Sequence, residues 1–432
     1  MKYIIPGYVE IERNGERTLV TSNLLKNKIK LTDFSIRQEF DDIVKAGGRD
    51  EISTDLTRLL YEQEMLQTRQ EIDKIVCSLK ERMNKSLLLT IMPTEACNFR
   101  CPYCYEPHEN ITMTSDIVEQ IKKYIQNMID KFDNLQISWF GGEPTLCENI
   151  ILDISSCVKE LQTVRKFNYA ATMTTNGYLL NIEMFIKFYE VGIRSFQITL
   201  DGWNHNETRP HISGIRTLER IIDNLRKIST LSSEYEYNII IRHNILDGDQ
   251  DFSWYDYLSS LFAKDKRFSI LVALVSDWGG TLVGSMPISE GKNRKQLKYA
   301  HQAYIKKIGL TLYEQPNDLF SDICYASFPY GFVFRANGMI DKCTISLNAP
   351  ENHIGRIDAM EGIIIDPKKS KTSVYKGYKR DKIEMRVDRV EVSDFPLYLN
   401  TVAGGLDRRD QTIGGFSFVV KIYAVPVIEI IG

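Results

Sequence analysis

The sequence predicts an α/β fold built on a parallel sheet, and two observations carry that expectation. From about residue 87 to 275, apolar strand-length runs alternate with helix-spaced segments, giving six β/α units. Several of those strands end in tight polar exits containing glycine or proline. Alternation of this kind buries a parallel sheet under helices, either doubly wound or curled into a barrel. In both arrangements chemistry gathers where strands end and loops begin.

The units follow in order. Leu87–Met92 is an apolar run stopped by Pro93, and Ile117, Ile121, Tyr124, Ile125 and Met128 then recur at helical spacing. Strands at Gln136–Phe140, Asn168–Thr175, Ser195–Leu200, Asn238–Ile245 and Phe268–Val275 alternate with helices around Asn149–Val164, Ile182–Val191, Leu218–Ile228 and Trp254–Phe262. This core is placed at residues 86–290. Residues 1–85 read differently: Tyr8–Arg13 and Thr18–Thr32 resemble short strands around an Asn14-Gly15 turn, and helices follow near Asp33–Lys45 and Ser53–Glu64. Short strands plus helices at this length suggest a small winged-helix-like module, with a packing extension of the core as the alternative. Residues 318–367 form a third region, in which Cys324 and Cys343 bracket a hairpin that turns at Ala336-Asn337-Gly338. Residues 368–432 form an atypical tail, basic over Lys368–Arg389 and without cysteine.

Composition narrows the class. The 432 residues suffice for two or three domains. With 54 basic against 57 acidic residues the net charge is −3, so no broad attraction to nucleic acid is indicated. No apolar stretch is long enough to span a membrane and the N-terminus lacks signal-peptide character, so a soluble, cytoplasmic protein is expected. The eight cysteines are clustered rather than spread as a disulfide framework, which fits a reducing compartment.

Cys97, Cys101 and Cys104 form a C-x3-C-x2-C loop directly after the first core strand. Three thiols so close can hold three corners of an iron–sulfur cluster and leave the fourth iron open, whereas clusters used for electron storage take four cysteines. Zinc is the rival, since His108 follows closely, although zinc sites usually pair C-x2-C units or add histidines. The other strand ends are polar. Gly141-Gly142-Glu143 follows the second strand; the glycines permit close backbone approach and Glu143 offers a carboxylate to an ammonium group. Thr174-Thr175-Asn176-Gly177 closes the third strand, Thr199 and Asp201 share a face at the end of the fourth, and Arg242 and Asn244 share one on the fifth. An arginine in a covered apolar strand needs an anion. Together these residues describe a pocket for an amino-acid-like ligand beside an open iron.

At these residues the chain resembles the radical S-adenosylmethionine (radical SAM) superfamily: the cysteine loop with Tyr103 before its last cysteine, and Gly141-Gly142-Glu143-Pro144, are that family's motifs. The resemblance covers about residues 87–275 and implies a partial (β/α)6 TIM-like barrel. It assigns Cys97, Cys101 and Cys104 to a [4Fe–4S] cluster chelated by S-adenosylmethionine. It places Glu143, Gly141 and Gly142 against the methionine ammonium and Arg242 against the carboxylate, with Tyr103, Asn176, Thr199 and Asn244 also assigned to cofactor binding. The implied chemistry is reductive cleavage of S-adenosylmethionine to a 5′-deoxyadenosyl radical that takes hydrogen from a substrate.

The motif wording is similar to the SPASM-containing branch of peptide and protein maturases. Cys324-x13-Gly338-x4-Cys343 matches the start of the pattern that brings ligands to an auxiliary [4Fe–4S] cluster. The N-terminal module is similar in length and position to winged-helix domains that take a leader peptide as an added strand. The later SPASM cysteines are absent, leaving a truncated SPASM-like region with an incomplete ligand set. A reduced region accounts for this, and so does a reading frame lost near residue 370. Three functions follow from the resemblance. One is modification of a ribosomally made precursor peptide through a thioether, carbon–carbon or oxidative linkage. Another is sulfatase-type protein maturation, and the third is a cluster- and peptide-binding protein without activity. A precursor peptide and an electron donor such as flavodoxin or ferredoxin are the expected partners, with neither nucleic acid nor membrane. No catalytic acid or radical quencher is assigned; Asp201, Tyr178 and His243 are candidates.

Overall fold

The computed structural model describes residues 2–6, 9–15, 17–22, 27–278, 283–288, 292–314, 325–366 and 427–430. Cys324 and nearly all of the tail from residue 368 lie outside these. The chain divides into two compact units, one of residues 1–85, 315–330 and 371–432, the other of 86–314 and 331–370.

In the first unit, β1 (Tyr3–Ile4) pairs with β5 (Gln67–Thr68), while β2 (Val9–Asn14), β3 (Arg17–Ser22) and β4 (Lys28–Leu31) form an antiparallel meander. A strand at Val427–Ile430 lies parallel to β4, so among the described residues β2 is the opposite edge of that sheet. Three helices follow: α1 (Phe34–Lys45), α2 (Asp55–Glu62) and α3 (Arg69–Asn84). Each starts where a side chain accepts from otherwise unpaired backbone N–H groups. Asp33 caps α1, Thr54 caps α2, and Thr68 with Glu71 forms a capping box on α3. Val20, Ile29 and Leu31 from the strands and Phe40, Ile43 and Leu60 from the helices make one fully buried cluster.

The second unit carries the parallel sheet. Its strands are β6 (Ser86–Ile91), β7 (Asn134–Trp139), β8 (Asn168–Thr175), β9 (Ile193–Thr199), β10 (Asn238–Ile245) and β11 (Phe268–Leu274), each parallel to its neighbour in sequence order. The crossovers carry α4 (Ser115–Met128), α5 (Glu148–Val164), α6 (Ile182–Glu190), α7 (His205–Thr208), α8 (Leu218–Ser229) and α9 (Ser253–Phe262); α10 (Lys292–Lys307) follows β11. This is the repeated β/α order expected from the sequence. Leu89, Trp139, Phe196 and Ile241 from the strands bury against Ile121, Ile154, Phe185 and Leu258 from the helices. Each such side chain contributes about 1.5–3 kcal/mol through lost contact with water.

The hairpin expected near residue 338 is present as β12 (Gly331–Phe334) and β13 (Met339–Asp341), but it does not stand apart from the core. β12 runs parallel to β6 and extends the sheet, which continues through β13, β14 (His353–Asp358) and β15 (Gly362–Ile365). Among the described residues the sheet is open, ending on β11 and β15. No helix among them is long and apolar enough to cross a membrane.

Candidate cluster and cofactor site

The cysteine loop leaves the C-terminal end of β6 and is held by three neighbouring segments. Thr94 Oγ1 donates to Ile111 O (2.7 Å), and Glu95 N donates to the same oxygen (2.9 Å). On another side, Gly142 N donates to Thr94 O (3.2 Å) and Glu143 N to Ala96 O (2.9 Å). Gly141 and Gly142 are therefore required by backbone packed on backbone. A Cβ on Gly141 would stand 2.4 Å from Thr94 O, at a φ of +120°, and one on Gly142 would stand 2.2 Å from Ala96 O. The third support is the segment after α7, where Arg100 N donates to Pro210 O (2.8 Å) and Ile212 N to Asn98 O (2.9 Å).

Cys97, Cys101 and Cys104 are free and half-buried. Burial pushes Cys97 up to about 12 and Cys104 higher still, because a thiolate here has lost water and faces Glu143 and Glu106 respectively. A bound iron–sulfur core would take the three sulfurs as thiolates and supply the positive charge that offsets this burial. Among the described residues no three His, Cys, Asp or Glu side chains, the three cysteines included, are drawn together as a metal site. His108, the possible zinc partner, sits in the left-handed region at a φ of 54°. Cys343, at the end of β13, is buried, and its Sγ accepts from Ile345 N (3.4 Å).

Glu143 is fully buried and caps the short turn Pro144–Cys147. Its Oε1 accepts from Thr145 N (3.0 Å), Thr145 Oγ1 (2.5 Å) and Thr175 Oγ1 (2.6 Å), and its Oε2 from Asn176 N (2.7 Å). These four bonds favour the carboxylate, yet burial dominates and raises its pKa. Asn176 in turn donates from Nδ2 to Asn98 Oδ1 in the cysteine loop (2.7 Å). One carboxylate thus ties the ends of β7 and β8 together, and Asn176 ties both to the loop.

On β10, Arg242 and Asn244 share a face as the period of two requires. Arg242 Nε donates to Asn244 Oδ1 (2.8 Å), and the guanidinium is half-buried with no carboxylate partner among the described residues. Thr199 lies beside Arg242 in register and is buried. The Tyr103 hydroxyl joins three elements: it donates to Asp201 Oδ2 (2.5 Å) and accepts from Arg209 Nη1 (2.8 Å) and Asn244 Nδ2 (3.1 Å). Burial raises the Asp201 pKa.

Of the other candidate acid–base residues, Tyr178 packs edge-on to Phe99 of the cysteine loop (6.3 Å between ring centres) and His243 faces away. His243 points to the opposite face of β10, where Tyr255 of α9 bonds both His243 Nδ1 (2.7 Å) and His301 Nδ1 of α10 (2.8 Å). Tyr178 accepts from Arg220 at 3.0 Å. Cys147 and Cys157 lie at and within α5, and Cys77 is exposed on α3.

Four residues that the strand-end pattern does not single out belong to the site's surroundings: Glu95, Glu106, Arg209 and Arg335. Glu106 has a buried Oε2 without a partner, and Arg209 a buried Nε in the same condition. Arg335 pairs with Glu95 beneath the loop. The readable signal was chemical: charged residues set inside or just after an otherwise apolar or cysteine-bearing run need a partner.

Residues 91–252, which contain this loop and most of its supports, match the Radical SAM superfamily. The chain carries a radical SAM domain. Similar curated proteins include the GTP 3′,8-cyclase of Aliarcobacter butzleri, 30% identical over 168 residues (37% of this chain, 48% of that protein). The GTP 3′,8-cyclase of Nautilia profundicola is 30% identical over 189 residues (42% and 54%). The chain therefore spans about half the length of the curated relatives it matches. Among solved structures, native anSMEcpe with bound AdoMet and Cp18Cys peptide shares 16% identity over 66% of this chain and 80% of that one, at a TM-score of 0.47. Streptococcus suis SuiB bound to precursor peptide SuiA shares 14% over 81% and 85%, at 0.46. The superfamily's cofactors are a [4Fe–4S] cluster and S-adenosylmethionine, and the radical SAM domain here presents its three-cysteine loop at the end of the first parallel strand.

Proposed function

We propose that the chain is a radical SAM enzyme that cleaves S-adenosylmethionine reductively and modifies a ribosomally made precursor peptide. The observation that carries the first half is the three-cysteine loop, braced by the Gly141–Glu143 and Pro210–Ile212 segments, inside the stretch that matches the superfamily. Cys97, Cys101 and Cys104 would hold a [4Fe–4S] cluster, which when bound supplies the electron for cleavage of the sulfonium. The residues of this chain bind and orient the cosubstrate. The half-buried Arg242 offers its guanidinium to the methionine carboxylate. Gly141, Gly142 and Glu143 bound the place of the ammonium group, and Tyr103, Asn176, Thr199 and Asn244 form walls that keep water away.

The peptide half rests on residues 1–85, which lie outside the family match. Among the described residues their sheet ends on β2, an edge able to take an extended segment as a further strand. We assign this module to leader-peptide recognition, residues 318–367 to a partial SPASM-like region with Cys324 and Cys343 as auxiliary-cluster ligands, and a flavodoxin or ferredoxin to electron supply. A GTP substrate is the second reading, favoured by the names of the curated relatives, although the match to them covers 37–42% of this chain. The test is anaerobic incubation of reconstituted protein with dithionite, S-adenosylmethionine and a small cysteine-containing peptide encoded beside the gene. Loss of hydrogens from the peptide by mass spectrometry supports the reading. An unchanged peptide while GTP is consumed contradicts it.

A further inference from the structure

Arg209 follows α7 and is, with Arg335 and Lys342, a buried cation among the described residues of the second unit, at 8% exposed. Its Nη1 donates to Tyr103, its guanidinium lies 5.6 Å from the centre of the Phe99 ring, and its Nε is buried without a partner. It makes no ion pair within 4.0 Å among the described residues; Asp201, bonded to the same Tyr103 hydroxyl, acts on it at longer range. A guanidinium cannot shed its proton, so its burial calls for a nearby negative charge. The chain fixes it in place: Pro210 and Ile212 bond the backbone of Arg100 and Asn98, and Phe99 bridges to His211. Every residue of the cysteine loop from Asn98 to Arg100 is thus tied to the segment carrying Arg209.

The charges around the loop are uneven. Glu143 and Glu106 face Cys97, and Glu106 faces Cys104, with no cation opposing them, whereas at Cys101 the Arg209 guanidinium acts against Asp201 and Glu106. We infer that Arg209 is a positioning residue that places a permanent positive charge beside the Cys101 corner of the cluster and makes the cluster easier to reduce. Asp201 supplies part of the negative charge its burial calls for; the thiolate of the loaded loop and, after reduction, the added electron supply the rest. A fixed cation in a low-dielectric site stabilises the more negative, reduced form.

The inference rests on the cluster reading proposed above, and the experiment separates the two. Wild type, R209Q, R209K and Y103F are reconstituted anaerobically, assayed for iron and sulfide, and reduced stepwise under potential control without substrate, with the reduced cluster read by electron paramagnetic resonance. Wild-type protein that binds no cluster overturns the underlying reading. If clusters form, R209Q is expected to lower the reduced-to-oxidised ratio at a given potential about tenfold, ~59 mV for a one-electron couple. R209K and Y103F, which keep the cation, should stay within about threefold of wild type. Equal potentials for R209Q and wild type overturn the inference, as does a shift in Y103F as large as in R209Q. Should R209Q hold no iron, R209K decides: a tenfold shift despite the retained charge overturns the inference, and a ratio near wild type supports it.

Discussion

Arg335 and Glu95 form a bidentate ion pair inside the second unit, Nε to Oε1 at 2.9 Å and Nη2 to Oε2 at 2.8 Å, with 4% and 1% of the side chains exposed. Glu95 stands two residues before Cys97, and Arg335 directly follows β12. Arg335 Nη1 also donates to Leu347 O at 2.7 Å, and Asp341 lies 3.5 Å from the same nitrogen. The start of the cysteine loop is thereby pinned to the β12–β13 hairpin.

Removing one member should leave the other charged and buried. R335M is expected to cost about 3–5 kcal/mol in denaturant unfolding, and R335M/E95L to recover part of it, since the apolar pair needs no compensation while Leu347 O and Asp341 still lose Arg335. A double variant as unstable as the single one would show that the pair does more than offset its own burial.

G142A tests the backbone packing. Its methyl group would collide with Ala96 O, so the loop must shift away from Glu143. Iron bound after reconstitution should fall several-fold while the circular dichroism of the sheet stays native. L146A, whose side chain is exposed, is the control and should bind iron as wild type does.

Asp341 gives a pH prediction. Burial raises its pKa from 3.8 to about 6, with His353 and Arg335 opposing the rise. The folded state then holds a proton that the unfolded chain releases, so this group's contribution is fully present below about pH 4 and is lost as pH rises to about 6. Wild-type stability relative to D341N should therefore fall by about 1–3 kcal/mol across that window. A difference independent of pH would show that Asp341 ionises in the folded protein as it does in water.

Arg242 separates binding from stability. Its side chain is half-buried and makes one hydrogen bond within its own strand, so R242A should cost under about 1 kcal/mol. The affinity of reconstituted protein for S-adenosylmethionine, measured by equilibrium dialysis, should nevertheless weaken tenfold or more, because the carboxylate loses its guanidinium partner. Unchanged affinity would remove Arg242 from the binding site.

The strands were legible because strand-length, largely apolar runs alternate with helix-spaced segments: β8 and β10 begin and end where the pattern places them. α3 was not, since it buries only Ile72 and Met83 and so shows a weak stripe; the signal that marked it was the capping box of Thr68 and Glu71. α10 was hidden in the same way by its charged sequence, Lys292–Lys307. The period of two put Arg242 and Asn244 on one face correctly and His243 on the other, where Tyr255 and His301 receive it. The junction at Tyr103 was unreadable, because its partners Asp201, Arg209 and Asn244 come from two different loops and a strand. Only the folded sheet brings them together.

The central claim is that Cys97, Cys101 and Cys104 hold the cluster that lets this chain cleave S-adenosylmethionine. The direct measurement is 5′-deoxyadenosine formed anaerobically from S-adenosylmethionine and dithionite by iron-loaded wild type and by C97A/C101A/C104A, each with its iron and sulfide content. Product from wild type and none from the triple variant is the expected result. No product from fully loaded wild type, or equal product from the triple variant, would contradict the claim.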